Sequence, residues 1–482
     1  MKKLVFVLCL GLVQYAGAQE QLGIRQGRYA GINALWLNPS GLVNMPYRWD
    51  ANMLAISQFF DNNYLFVENF RLLDLRQKPE ALLVRSELEN GSMPPSGSLV
   101  LDFYRGGKGR RAFRGSSLSS VGGPAVGLRL ANGQAIGLYT RMRTAVHFRQ
   151  IPTTLGYYEY NLQPFDTPVE IAPFDAAAMA WSEVGFNYAR SISGKYGDWN
   201  IGATLKWLSG YEALFLHNNQ PLELTQLRDN RLRGSAADFR YGLASSAFYG
   251  NAWRLRRNGM GLAMDIGASA SLGNYPAGKG WQLGVSLLDV GAIRFGRQAQ
   301  THRIRTNSPR ELDLLKLEPL LSEPNLDALL QDFSEQLLDA PEASLQRRAL
   351  TMSLPTALSI QADVALRPTL FVNATIVQSL PIQASAPQRN NLLAFVPRYE
   401  TRWLAMGIPI SWLDWQKLRS GFFVRAGYLV LGTDDARSIF RKDNFDSTDF
   451  YIALKINGFG IKKDSHTKSR QAKQSSIRCP KW

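Results

Sequence analysis

Nine charged side chains fall on the polar beat of segments in which every second residue is apolar: Arg129, Arg141, Arg143, Lys206, Arg425 and Lys455, with Glu183, Asp265 and Asp363. Charges of both signs converging on one surface can pair with each other, or they can line a wet path that receives the head group of a solute. Other chemistries are poorly supplied. His147, His217, His302 and His466 are scattered without ligand spacing, so no metal site is expected. Of the two cysteines, Cys9 lies in an N-terminal apolar stretch expected to be removed, which leaves Cys479 and no disulfide. A hydrolase would need a serine beside a histidine, or a histidine beside an acid. Nothing in the sequence ties His217, next to Asn218 and Asn219, or His147, close to Arg149, to a nucleophile. No phosphate-cradling glycine loop or helical metal motif occurs, and neither enzymatic activity nor a cofactor is expected.

The elements that must position these charges are strands. Ile201, Ala203, Leu205 and Trp207 alternate with Asn200, Gly202, Thr204 and Lys206. Leu358, Ile360, Ala362, Val364 and Leu366 alternate in the same way with Ser359, Gln361, Asp363 and Ala365. Successive side chains on a strand point to opposite faces, so each segment has one apolar face and one polar, glycine-bearing face. Such segments fall near 50–59, 64–70, 97–104, 119–130, 134–146, 181–191, 199–209, 260–271, 280–294, 353–366, 369–380, 397–410, 420–431 and 447–457. No later stretch offers the roughly 18 unbroken apolar residues of a membrane helix, while strands of roughly ten residues suit a membrane barrel.

The connections alternate in length. Asn132-Gly133, 193–198, 273–279 and Arg367-Pro368 are short, whereas 147–180, 210–259, 295–352, 381–396 and 432–446 are long. Outer-membrane barrels place short turns in the periplasm and long loops outside. The expected fold is therefore all-β: a single closed antiparallel transmembrane β-barrel of about fourteen strands over 49–460, with both termini periplasmic. Trp181, Trp199, Trp207, Trp281 and Tyr428 are expected in the aromatic girdles. Inside the loop at about 310–345, Asn325 is a good helix cap, and Leu326, Leu329, Leu330, Phe333 and Leu337 recur at helical spacing. Asp327, Asp332, Glu335 and Asp339 populate the other face, which predicts an amphipathic helix packed at the barrel mouth or on another loop.

The ends fit an exported chain. Lys2 and Lys3, the apolar run Leu4 to Val13 and the small residues Ala16-Gly17-Ala18 read as a signal peptide over 1–18. Residues 19–48 are rich in Gly, Asn and Pro without a period. The tail at 461–482 is basic, with Lys462, Lys463, Lys468, Arg470, Lys473, Arg478 and Lys481 against Asp464, and is expected in the periplasm. Net charge is +16, or 16 − 2 = +14 after loss of Lys2 and Lys3. A basic balance often marks nucleic-acid binding, but export argues against that partner. Outer-membrane lipid and an envelope or secretion protein are the partners that the compartment allows.

Tyr29 to Leu42, reading YAGINALWLNPSGL, is the sharpest motif in the chain. With Trp49-Asp50-Ala51-Asn52-Met53, Asp61-Asn62-Asn63-Tyr64, Gly210-Tyr211, Asp289-Val290-Gly291-Ala292-Ile293, Leu354-Pro355-Thr356 and Leu431-Gly432-Thr433-Asp434-Asp435, it resembles an uncharacterised family of Bacteroidota outer-membrane barrels. That family looks like a distant relative of the FadL and PorV barrels, and the resemblance runs through essentially the whole mature chain. It implies a plugged barrel in which Asn38, Pro39 and Ser40 belong to an N-terminal luminal hatch over 19–48, with Ser40 in place of the usual small alanine. It also implies passive transport of a hydrophobic or amphipathic ligand in the FadL manner. The alternative is a structural or carrier subunit of a secretion or surface-anchoring system in the PorV manner.

Overall fold

The strict two-residue beat closes into one ring of strands. The computed structural model describes residues 20–76, 83–85, 98–106, 112–195, 197–248, 254–296, 298–316 and 325–458. The expected signal sequence and basic tail, with Cys9 and Cys479, lie outside them. Fourteen strands form the wall: β1 (Trp49–Asn62), β2 (Ala112–Arg129), β3 (Gln134–Pro152), β4 (Asp175–Gly194), β5 (Gly197–Asn218), β6 (Gly259–Gly273) and β7 (Gly280–Phe295) make its first half. The second half is β8 (Ala357–Arg367), β9 (Leu370–Ser379), β10 (Leu392–Glu400), β11 (Leu404–Gly407 with Ile410–Leu413), β12 (Lys417–Ser420 with Phe422–Ala426), β13 (Leu429–Thr433) and β14 (Ser447–Asn457). Each pairs antiparallel with the next, and β14 returns to β1 in a register running from Asp50↔Asn457 to Asp61↔Ser447. Closure leaves no long unpaired edge, which is what hydrocarbon demands of a backbone that cannot bond to water.

The outward face is apolar. On β5 and β6 it presents Ile201, Leu205, Trp207, Leu262, Met264 and Ile266, all exposed. Trp199 and Trp207 stand eight residues apart on β5, roughly 26 Å along the strand and about 20 Å along the membrane normal at a typical tilt. That span is close to the apolar band of a membrane barrel. At the short-turn rim Trp49, Trp199, Trp281, Trp403 and Tyr428 are exposed together, as a girdle requires. Trp181 is a correction: it is 0% exposed and faces the lumen. It shares the parity of Glu183, two residues on, so one of them could not face lipid while the other faced the lumen.

The strand positions also need correction. Leu65–Phe70 and Leu99–Phe103, expected as barrel strands near 64–70 and 97–104, belong to a separate four-stranded sheet with Leu83–Arg85 and Asp443–Phe445 in the loop layer. At six and five residues they are too short to cross; a tilted membrane strand needs about 9–11. Conversely, the segment read at 397–410 contains the tight turn between β10 and β11, closed by Thr401 N donating to Leu404 O. The segment read at 420–431 contains the Gly427-Tyr428 turn between β12 and β13, where Gly427 has φ +59°. Two strands leave the wall and two enter it, so the count stays at fourteen. Apolar residues run through both turns, and that continuity hid them.

Above β6 and β7 the wall continues as a collar. Asp238–Ala244 pairs with the last residues of β5 and with Ala299–Arg305, and Leu345–Arg347 joins the far side. Helix α1 (Leu326–Leu338) begins where Asn325 Oδ1 accepts from Ala328 N at 3.1 Å. Its Phe333 packs on Phe239 and Tyr241 of the collar. No helix among the described residues is long and apolar enough to cross a membrane.

The outward assignment of β6 makes a direct prediction. Ile266→Arg, near the strand's midpoint, should lower stability by about 2–4 kcal/mol in urea titrations in phospholipid vesicles. An unchanged unfolding midpoint would contradict a lipid-facing Ile266.

Candidate functional site in the barrel lumen

Inside the wall lies the N-terminal segment from Glu20 to Arg48. It is built of a helical turn at Leu22–Arg25 and two 3-10 turns, Gly31–Trp36 and Pro39–Asn44. Its Gly, Asn and Pro content gives it no strand pattern, so its backbone groups must find partners elsewhere. Many find them on the wall. Gly23 N donates to Tyr451 Oη, Ile32 N to Asp50 Oδ2 and Arg28 N to Glu400 Oε2, at 3.0, 2.8 and 3.2 Å. Lys455 Nζ donates to the carbonyls of Tyr29 and Ala30 at 3.0 and 2.6 Å, and Ser286 Oγ to that of Leu37 at 2.6 Å.

The Asn38-Pro39-Ser40 turn is held on the inner face of β4 to β8. Asn38 Nδ2 donates to Ala268 O at 3.2 Å and to Gln361 Oε1 at 3.0 Å, while its Oδ1 accepts from Ser40 N and Oγ. Ser40 Oγ reaches Ser269 Oγ at 3.0 Å, and Pro39 O accepts from Asn187 Nδ2 at 3.2 Å. Two glycines make this approach physically allowed: a Cβ at Gly202 would sit 2.4 Å from Pro39 O, and one at Gly267 would sit 2.3 Å from Asn38 Oδ1.

The opposite side of the plug is apolar. Ile32, Leu35, Trp36 and Leu42 share a buried cluster with Ala125, Ala135 and Tyr139 of β2 and β3. Trp36 meets Tyr139 edge-on, with centroids 6.4 Å apart. Beside this face the ladder loosens: Met53 and Leu54 of β1 oppose Gly123 and Pro124 of β2 without pairing, and β2 is bulged against β3 at the same level. Pro124 has no N–H to give. Thr140 Oγ1 instead caps the carbonyls of Gly123 and Pro124, at 2.7 and 3.3 Å.

Five of the expected luminal charges, Arg141, Arg143, Glu183, Lys206 and Asp265, meet in one buried network. Arg141 pairs with Glu183 at 2.6 Å, and Lys206 with Asp265 at 2.7 Å. Arg143 holds Asp289 in a two-bond fork at 2.8 and 3.0 Å. Asp289 also accepts from Lys206 at 2.6 Å and from Arg389 at 2.8 Å. Arg389 continues to Glu20 at 3.4 Å, and Glu20 to Arg25 at 2.9 Å. The cluster thus holds five cations (Arg25, Arg141, Arg143, Lys206, Arg389) and four anions (Glu20, Glu183, Asp265, Asp289), and it connects β3 to β7, the 380–391 link and the plug.

The remaining expected residues are elsewhere. Asp363 is gripped by Arg398 at 2.6 and 2.7 Å and by Tyr275 at 2.6 Å. Arg425 donates to the Thr401 and Arg402 carbonyls and lies over the Tyr29 ring. Arg129 reaches Met45 O at 3.2 Å. Asp289, Arg389, Glu20, Arg25, Arg398 and Glu400 were not singled out as luminal charges. Asp289 was available as the first residue of a family motif, but its parity is hidden by a bulge that turns both Leu288 and Asp289 inward, with Asp289 at φ +58°. Arg389 comes from a link, where strand parity gives no signal.

A closed antiparallel barrel with an apolar outer face, aromatic girdles and a polar, plugged interior is a transmembrane barrel of the outer-membrane type. The chain belongs to the family of unknown function DUF5723, which matches it over residues 100–434. No curated protein matches it. Among solved structures it is similar to a mutant of the TodX monoaromatic hydrocarbon channel, at 10% identity and a TM-score of 0.40, over 92% of this chain and 97% of that one. It is also similar to the Pseudomonas putida toluene transporter TodX at 10% identity and a TM-score of 0.24, over 93% and 100% of the two chains. A Pseudomonas aeruginosa FadL homologue gives 8% and 0.22, over 92% and 98%. At these values the fold rests on the chain's own geometry.

Removing one partner of a buried, shared ion pair strands the others without water. Asp289→Asn should therefore cost about 3–5 kcal/mol. Asp339→Asn, which touches only the exposed Arg310 pair, should leave stability unchanged. Urea unfolding in vesicles separates the two, and equal effects would contradict the network's role.

Proposed function

We propose that this protein resides in the outer membrane and passes hydrophobic or amphipathic solutes passively, with residues 20–48 as its gate. The observation that carries the reading is the asymmetry of the plug. Its polar side is fastened to β4–β8 by directional hydrogen bonds through Asn38, Pro39 and Ser40. Its other side packs on β2 and β3 mainly through the apolar side chains of Ile32, Leu35, Trp36 and Leu42, with hydrogen bonds from Ile32 N to Asp50 of β1 and from Arg129 of β2 to Met45 O beside them. The wall seam at Met53-Leu54 and Gly123-Pro124 lies on that apolar side. A small rocking of the plug would join the lumen to the membrane interior along an apolar surface. Resemblance to FadL-type barrels supports the hydrophobic class of solute.

A second reading, a carrier or structural subunit working with a secretion or surface-anchoring protein, draws on the loop layer. Pro168–Ile171, Leu222–Gln226, Arg231–Gly234 and Arg310–Asp313 form a sheet of their own beside α1. Leu162 and Phe165, close to that sheet in sequence, are exposed, and exposed apolar residues on a loop layer are what a docking partner would cover.

The first reading predicts that fixing the apolar side of the plug stops transport. A Cβ at Gly127 would lie 3.7 Å from the Cβ of Ile32, within the disulfide range of about 3.5–4.5 Å. Ile32→Cys/Gly127→Cys, made with Cys479→Ser, should take up radiolabelled long-chain fatty acid or toluene into cells when reduced and lose that uptake when oxidised. Equal uptake in both states would rule out the gate. Uptake no higher than in cells lacking the protein, together with a stoichiometric copurifying protein, would replace transport by the carrier reading.

A further inference from the structure

A cavity of about 540 Å³ opens at the long-loop rim, where β7 passes into the collar. Four guanidiniums line it: Arg240, Arg294, Arg303 and Arg347. They come from separate elements brought together by register. Arg240 opposes Arg303 in the collar pair, Thr301 opposes Arg347, and Arg294 is next to Thr351 of the short strand Leu350–Ser353. Asp238 takes Arg303 through two bonds at 2.9 and 2.6 Å. Among the described residues, Arg240, Arg294 and Arg347 have no carboxylate partner. Like charges held around one hollow repel each other, and this arrangement is favoured when an anion enters it.

The position and lining narrow the anion. On β6 the residue opposite Arg294 is the exposed Met260, followed downward by the exposed Leu262, Met264 and Ile266. Arg294 therefore stands one pleat above the apolar belt, at the level of lipid head groups. Guanidinium forks match phosphate oxygens two at a time. Thr301, Thr351 and Gln383 on the same walls offer hydroxyl and amide groups of the kind that pair with sugar hydroxyls. We propose that this cavity binds a phosphorylated sugar, either free or as the head group of an outer-leaflet glycolipid. The site is separate from the lumen and does not depend on the transport reading.

Native mass spectrometry of the barrel released from detergent tests this. The probes are bisphosphorylated lipid A, the same lipid enzymatically dephosphorylated, and glucosamine 6-phosphate. Wild type should retain the bisphosphorylated lipid roughly tenfold more than Arg240→Gln/Arg294→Gln/Arg347→Gln, and added salt should erode the difference. Arg294→Gln alone, which leaves the collar intact, should show an intermediate loss even if the triple variant misfolds. Arg190→Gln, at the opposite rim, should behave as wild type. Retention of glucosamine 6-phosphate in the same ratio assigns a free sugar phosphate, and retention of the lipid alone assigns the glycolipid. Equal retention by wild type and the arginine variants, or equal retention of the dephosphorylated lipid, overturns the proposal.

Discussion

One carboxylate carries the interior. Asp289 receives Arg143 from β3, Lys206 from β5 and Arg389 from the 380–391 link, and through Arg389 it reaches Glu20 and Arg25 of the plug. Moving any one of these ions out of water costs several kcal/mol, and a single pair scarcely recovers that. Shared ions change the balance: Arg143 and Arg389 each answer two carboxylates, Glu20 and Glu183 each answer two cations, and Asp289 answers three. The left-handed bulge at Asp289 is what turns the carboxylate inward to meet all three cations. The bulge, the register of β7 and the seat of the plug are therefore linked by one electrostatic constraint.

Around that junction the lumen divides by side. On β5 and β6, Gly202 and Gly267 let the Asn38-Pro39-Ser40 backbone come close enough for hydrogen bonds. On β2 and β3, Gly122, Gly127 and Gly137 leave room for Trp36, Leu42 and Ile32 instead, and the contact there is apolar. The same small residue thus serves two purposes, and what the plug presents to it decides which. Side-chain hydrogen bonds dominate on one side of the plug, and apolar packing dominates on the other, beside the bonds from Ile32 N to Asp50 and from Arg129 to Met45 O.

The barrel was legible because period-two alternation is a local signal, and it survives almost unbroken in β3, β5, β6 and β8. The inward direction of Arg141, Arg143, Lys206 and Asp265 followed from the same beat. Their convergence did not, because it depends on strand order around a ring. Arg389 could not be placed at all, since a link has no parity. Trp181 was misplaced although Glu183, on the same face, already fixed its direction. Fourteen strands emerged from two compensating errors: short loop strands at 64–70 and 97–104 passed for wall, while the turns at Thr401 and Gly427 were hidden in apolar runs. Local composition marks a strand, but only closure tells whether it belongs to the wall.

The central claim is that ion pairs through Asp289 and Arg389 seat the plug in the lumen. Hydrogen–deuterium exchange of the barrel in phospholipid vesicles tests it most directly, read on peptides covering residues 20–48 and compared with peptides from β5 and β6. The account predicts that plug amides are protected nearly as well as wall amides in the wild type, and that Arg389→Gln speeds exchange in the plug while β5 and β6 stay protected. Fast exchange of the plug in the wild type, or plug protection unchanged by Arg389→Gln, would contradict it.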